Sequence, residues 1–230
     1  MQSIQLFFLL LRQILNTNDM ETLIESLKQF EEKANTVSNE TELQSIFKEL
    51  APAFLYGGYI QVHDEYRVFI RTVEFYFHSE KENGIHDPIV YHRNGKDFVN
   101  VPYFPLMTLH AHSSGFDITF ESEAEQYRAS ALIRTYEVKD KDGKYLVWNK
   151  EKSMFEETTE YGYNTQSTYL YALINGFSLG NSNNVKWIDA PRKQSSSTME
   201  KKRQNVYQFD SERNKVKCNR NWSFTRIEQV

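Results

Sequence analysis

All six histidines of the 230-residue chain (His63, His78, His86, His92, His110 and His112) fall within one stretch of fifty residues, which also holds Glu74. In VFIRTVEFYFHS, residues 68–79, Glu74 stands in a run of β-branched and aromatic residues without Gly or Pro. The run predicts a strand, where glutamate is depleted and a buried carboxylate is costly unless paired. Strand alternation puts Ile70, Thr72, Glu74, Tyr76 and His78 on one face, and Phe69, Val73, Phe75 and Phe77 on the other with Arg71. The second face reads as core. The first carries a carboxylate, a phenol and an imidazole, the parts of a polar concave site. A solvent face of no special function has the same composition.

His110 and His112 form an H-x-H pair on one side of a predicted strand. Two neutral imidazoles so spaced can converge on Zn²⁺ or Fe²⁺, with Glu74, His78 or Asp117 as third ligand. No H-E-x-x-H and no cysteine pair accompanies them, so the primary expectation is no metal and no cofactor, with His110 and His112 as the metal alternative. In GFDITFES, Asp117, Thr119 and Glu121 share one face of an apolar strand. Arg134, inside ALIRTYE, is an arginine in so apolar a setting that it calls for a carboxylate or phosphate. Glu74, Asp117 and Glu121 are the candidates, and a structural salt bridge is the plain alternative. No Ser-His-Asp order, P-loop or dinucleotide fingerprint is present.

These residues need a scaffold. Residues 1–50 read as a helical N-terminal extension: Ile4 to Leu15 at helical spacing, then METLIESLKQFEEKA capped by Asn18 or Asp19, then TELQSIFKEL started by Asn39 or Thr41 and followed by Pro52. Residues 51–230 read as one α+β domain with a mostly antiparallel, curved sheet and flanking helices. Its strands are the end of FLYGGYIQV, YRVFIRTVEFYFHS, PLMTLHAH, FDITFES, YRASALIRTYEV, KYLVWNK and WSFTRIEQV. HDEY is a hairpin turn, residues 79–97 a long polar loop, TQSTYLYALIN a helix, and residues 193–205 a mobile basic loop.

LFFLLL, residues 6–11, is too short for a membrane span and lacks a basic leader and a cleavage site. The one cysteine, Cys218, has no internal disulfide partner. Together they point to a cytoplasmic protein with no membrane partner. The net charge of −4 conceals an asymmetry: residues 181–230 hold 11 Lys+Arg against 5 Asp+Glu, leaving the first 180 residues strongly acidic. A basic end can meet phosphates or simply be solvated.

The order of segments resembles the alkyladenine (3-methyladenine) DNA glycosylase family. LAPAFLYGGYIQV, RVFIRTVEFYFHS, a polar loop with His86 and HRN, HSSGFDITFES, SALIRTYEV, APRK and WSFTRI follow that family's LLG-x-x-LV, R-I-V-E-T-E-A-Y, histidine-loop, Y-G-x-x-x-x-x-N, L-I-R-A-x-E-P, S-P-R and W-x-F segments over residues 50–230. The resemblance implies a monomeric, metal-free enzyme of base excision repair that binds double-stranded DNA. Such an enzyme flips a damaged base out of the duplex and hydrolyses its N-glycosidic bond. Glu74 would activate the water. Tyr76 would stack, His86 (or His92) would touch the flipped nucleotide, and Arg134 would fall on the family's arginine. Ser114 falls where the family has a wedging tyrosine, Glu121 on its pocket asparagine and Ala111 on its second aromatic wall; His112 and Asp117 have no counterpart. These departures open a second expectation, a catalytically divergent binding protein for a nucleoside-like or other small polar ligand, and a third, a His-ligated metal enzyme.

Overall fold

The computed structural model describes residues 22–90, 102–112, 115–175, 185–190, 197–204, 207–209, 215–217 and 220–227. The expected first helix, its Asn18 or Asp19 successor cap, His92, Ser114 and Cys218 lie outside them.

Helix α1 (Leu23–Ala34) starts at Thr22, whose side chain accepts from Glu25 N while Glu25 accepts in return, a capping box. Helix α2 (Glu40–Tyr56) starts at Asn39, whose Oδ1 accepts from Thr41 N and Glu42 N at 3.1 and 3.0 Å. It does not stop near Pro52. It continues to Tyr56 because Phe54, Leu55 and Tyr56 are all buried against the sheet, which offsets the lost backbone bond. Residues 50 and 51 thus lie inside α2, and both helices share one core with the sheet. Phe47 stacks on Phe75 at 4.6 Å and 4°, and Phe30 meets Phe77 and Phe120 edge-on.

The fold is α+β with a curled, antiparallel sheet. Two long strands form its spine, β2 (Tyr66–Ser79) and β5 (Tyr127–Asp140). One edge of β2 is taken at its start by β1 (Gly58–Val62), which carries β8 (Val185–Asp189), and further on by β12 (Ser223–Arg226), which carries β9 (Thr198–Lys201). The free edge of β5 is likewise shared. β4 (Gly115–Thr119) with β3 (Leu109–His112) takes one half, and β6 (Tyr145–Asn149) with β7 (Met154–Thr158) the other. Helix α3 (Ser167–Asn175) packs on β4 and β5, and a separate ribbon pairs β10 (Tyr207–Phe209) with β11 (Lys215–Lys217). The HDEY turn places both His63 and Asp64 at positive φ, 53° and 56°.

One expectation about the spine is overturned. Val68 and Ile70 are core, and so are Val73, Phe75 and Phe77, while Phe69 is only half-buried. The parity changes because Ile70 pairs with Tyr136, Thr72 with Thr135 and Val73 with Ile133. Arg71 is thus an extra residue on β2 and Arg134 an extra residue on β5. A bulge turns the strand by one position and re-aims the bulged side chain. Ile70 therefore leaves the Glu74 face for the core, and Phe69 leaves the core for the outer face. The segment 193–205 is also not a loop throughout: Thr198–Lys201 is strand β9, and Arg203 is 2% exposed.

Candidate functional site

Glu74 lies on the outer face of β2, away from α1 and α2, in the row Ser223–Glu74–Leu132–Asp117–His110 across four pairings. Its side chain has no solvent exposure. Oε2 accepts from Arg134 Nε at 2.6 Å and from the Tyr76 hydroxyl at 3.1 Å, and Oε1 accepts from the backbone N–H of Gln204 at 2.6 Å. Arg134 Nη2 also donates to the Tyr76 oxygen at 3.2 Å. The β5 bulge brings this about: as the extra residue, Arg134 is free of the strict alternation and turns toward the neighbouring strand's carboxylate. Burial first, then the negative charge of Glu74, pushes the Tyr76 hydroxyl well above the usual phenol range, so it stays protonated and donates.

The other side of Tyr76 is occupied by the chain itself. The Arg203 guanidinium lies 4.6 Å from the ring centroid and reaches the Phe75 carbonyl at 3.3 Å. Arg203 pairs with Asp87 at 2.6 Å, and Arg220 joins Asp87 at 3.1 Å and Glu40 at 2.6 Å. Trp222 lies between the two arginines, with centroid distances of 5.2 and 4.6 Å. Burial would raise the Asp87 carboxyl, but the two guanidinium groups outweigh it and hold it below the ordinary aspartate range. Sequence reasoning missed Asp87 and Arg203. Alternation has nothing to say about loop residues, and the arginine was hidden in a polar basic run.

Of the residues singled out by sequence, Glu74, Tyr76 and Arg134 converge. Asp117 shares their face but stands two strands from Glu74, about 10 Å across the sheet with Leu132 between; its Oδ2 accepts from Ser130 at 3.1 Å. Glu121 belongs to a different cluster, accepting from Arg128 at 3.1 Å and Phe104 N at 2.9 Å. Arg128 is fully buried, also holds Glu80 at 3.1 Å, and stacks 3.6 Å over the Tyr103 ring. His86 is exposed, with Nε2 2.9 Å from the Lys81 carbonyl oxygen and its ring against His78. His78 Nδ1 accepts from Asp87 N at 3.1 Å, which fixes its remaining proton on Nε2 when neutral. His110 packs on Phe104 at 4.5 Å, three strands from Glu74. The backbone of His112 ends β3, and its side chain lies outside the description. Among the described residues no group of three His, Cys, Asp or Glu could hold a metal.

A cavity of about 350 Å³ lies on the helix side, floored by Phe77 and Tyr127 and rimmed by Asn35, Lys81, Glu82 and Glu125. A second, of about 70 Å³, lies between α1 and α2. Neither borders Glu74. Among the described residues no helix is long and apolar enough to cross a membrane. Fold and cluster thus define an α+β protein with a curled antiparallel sheet and a buried Glu–Tyr–Arg group on its outer face. No family model, curated protein or solved structure matches the chain.

Proposed function

We propose that the chain is a glycosylase-like recognition protein, one that binds a nucleoside-like or other small polar group without cleaving it. The observation that carries this reading is the state of Glu74: fully buried, with both oxygens engaged by Arg134, Tyr76 and Gln204 N. A general base must reach the water it activates. Here the carboxylate is already satisfied, and Arg203 covers the Tyr76 ring on which a base would stack.

A second reading, hydrolysis of the N-glycosidic bond of a damaged or modified base in DNA, is favoured by a separate observation. The glutamate of E-F-Y and the arginine of L-I-R, sixty residues apart in sequence, meet at 2.6 Å. These are the two positions to which the resemblance assigns the water-activating acid and the family's arginine. In that chemistry Glu74 takes a proton from water, the water oxygen bonds to C1′, and the base leaves with the glycosidic electron pair.

Incubation with alkylated and deaminated oligonucleotides, single-stranded and duplex, separates the two. Recognition without cleavage gives no alkali-labile sites, together with a raised thermal midpoint in the presence of at least one nucleoside or modified base. Alkali-dependent scission that disappears in Glu74→Gln establishes hydrolysis instead. Neither scission nor any shift across the panel overturns both.

A further inference from the structure

The outer face of the sheet continues past Arg134 toward β1, β6 and β7, and there its character changes. Phe69 lies 5.8 Å from Lys139 Nζ, and Lys139 Nζ lies 4.3 Å from the Tyr145 ring. Tyr145 meets Tyr161 edge-on at 5.2 Å, and Arg71 lies 5.2 Å from the Tyr161 ring and 4.4 Å from Tyr163. Aromatic rings and cations thus form one continuous chain, Phe69–Lys139–Tyr145–Tyr161–Arg71–Tyr163. Tyr161 and Tyr163 are 46% and 47% exposed, large rings left in water. Arg67, exposed, is paired with Lys139 in register and shares its face.

Two acids of this face, Glu137 and Glu156, are already paired. Glu137 is 2% exposed and accepts from Arg226 and from the Tyr161 hydroxyl, with Arg71 at 3.5 Å. Glu156 is held by Lys152 at 2.5 Å and Asn149 at 2.7 Å. Around these pairs the face presents stacking surface at Tyr161 and Tyr163 and positive charge at Arg67 and Lys139. The geometry points to a platform for single-stranded nucleic acid, with bases stacked on Tyr161 and Tyr163 and phosphates at Arg67 and Lys139. Rings accept any base by its π-face, and the cations track the backbone. A duplex hides its base faces and cannot use the rings. The platform runs along β2 and β5 and ends about 10 Å from Arg134, three residues from Glu137, the partner of Phe69. A strand bound there runs along the sheet toward Arg134. The inference stands apart from the chemistry at Glu74, because its probe is undamaged.

The test is fluorescence anisotropy with labelled oligothymidine, oligouridine and a blunt duplex. Single strands bind more tightly than the duplex. With two phosphates neutralised, the slope of log affinity against log salt is about −1.4 between about 50 and 200 mM, falling to about −0.7 in Lys139→Ala. Tyr163→Ala weakens binding roughly tenfold, and Tyr161→Ala together with Tyr163→Ala by more, while Tyr161→Phe and Tyr163→Phe keep the rings and keep the affinity. Tyr171→Ala, an equally exposed tyrosine on α3, changes nothing. Far-UV circular dichroism checks that each variant is folded. Equal affinity for duplex, or alanine variants that fold and bind as the wild type does, overturns the platform. Oligothymidine against oligouridine separates DNA from RNA. Loss of oligonucleotide binding with nucleoside recognition intact, or the reverse, shows which of the two inferences has failed.

Discussion

The Glu74–Arg134 pair can be weighed by a thermodynamic cycle of Glu74→Gln, Arg134→Met and the double variant. Glu74→Gln leaves the guanidinium without its counter-charge, although the new amide still offers one oxygen to Tyr76 or Gln204. Arg134 retains 14% side-chain exposure, so water relieves part of the cost, and the low end of the range for a broken buried pair applies, about 3 kcal/mol. Arg134→Met leaves a carboxylate with no exposure and only the Tyr76 and Gln204 donors, which places it higher, at about 3–5 kcal/mol. The double variant has no stranded charge, so it loses less than the sum, with a coupling energy of about 2–3 kcal/mol. For a chain of this size each kcal/mol moves the thermal midpoint by about 2–4 °C, so Glu74→Gln melts about 6–12 °C lower. Urea titration by circular dichroism reads the stabilities, with the three variants at equal slope. A coupling below about 0.5 kcal/mol refutes the reasoning, since the two charges would then not be in contact in solution. If the group also serves recognition, all three variants lose the ligand-induced thermal shift, including the double variant that has recovered much of its stability.

Two further outcomes follow from other parts of the fold. Asp87→Asn takes from Arg203 its carboxylate and leaves Arg220 with Glu40, and costs about 3–5 kcal/mol at neutral pH. Because the folded-state carboxyl lies below its unfolded value, its contribution is fully present above the unfolded value and is lost as pH falls through the folded one. The gap between wild type and Asp87→Asn in urea titrations is therefore constant down to about pH 5 and closes on further acidification; a gap that widens in acid contradicts this. Gly58→Ala would drive a Cβ into the Ile188 carbonyl oxygen and to within 2.9 Å of the Trp187 ring, so β8 has to move off β1. The variant is expected to show a red-shifted tryptophan emission and a lowered midpoint, and an unchanged spectrum would show that the edge strand yields without separating.

Several parts of this arrangement were legible in the sequence. Glu74 was out of place in its strand and Arg134 out of place in its own, and each supplied the partner the other required. Long amphipathic segments such as LIESLKQFEEKA declared themselves by period and cap. Period alone failed wherever one residue is added to a strand. Phe69 read as core and Ile70 as site, and the bulges at Arg71 and Arg134 exchange them. Strands β7, β8, β9, β10 and β11 were not foreseen, since MFEET, TMEK and KVK are short, polar edge segments whose conformation comes from the neighbour they pair with. Nor could a linear pattern place Arg203 against Tyr76, 127 positions earlier in the chain, because that contact exists only once β12 has carried β9 to the spine.

The two adjacent bulges have a consequence for how such a chain can change over time. Each strand of the spine carries one supernumerary residue, and together they cancel, so that pairing resumes in step from Val73 and Ile133 onward. Deleting Arg71 would leave Ile70 opposite Tyr136 and Thr72 opposite Thr135, with Glu74 still opposite Leu132. Deleting Arg134 would leave Thr72 opposite Thr135 and Val73 opposite Ile133, and would take away only the guanidinium that meets Glu74. A deletion elsewhere in residues 73–79 or 127–133 would instead shift the pairs beyond it by one and turn their side chains to the other face. Lineages descending from this sequence should therefore lose length in the spine first at positions 71 and 134, where the ladder closes up without changing its partners.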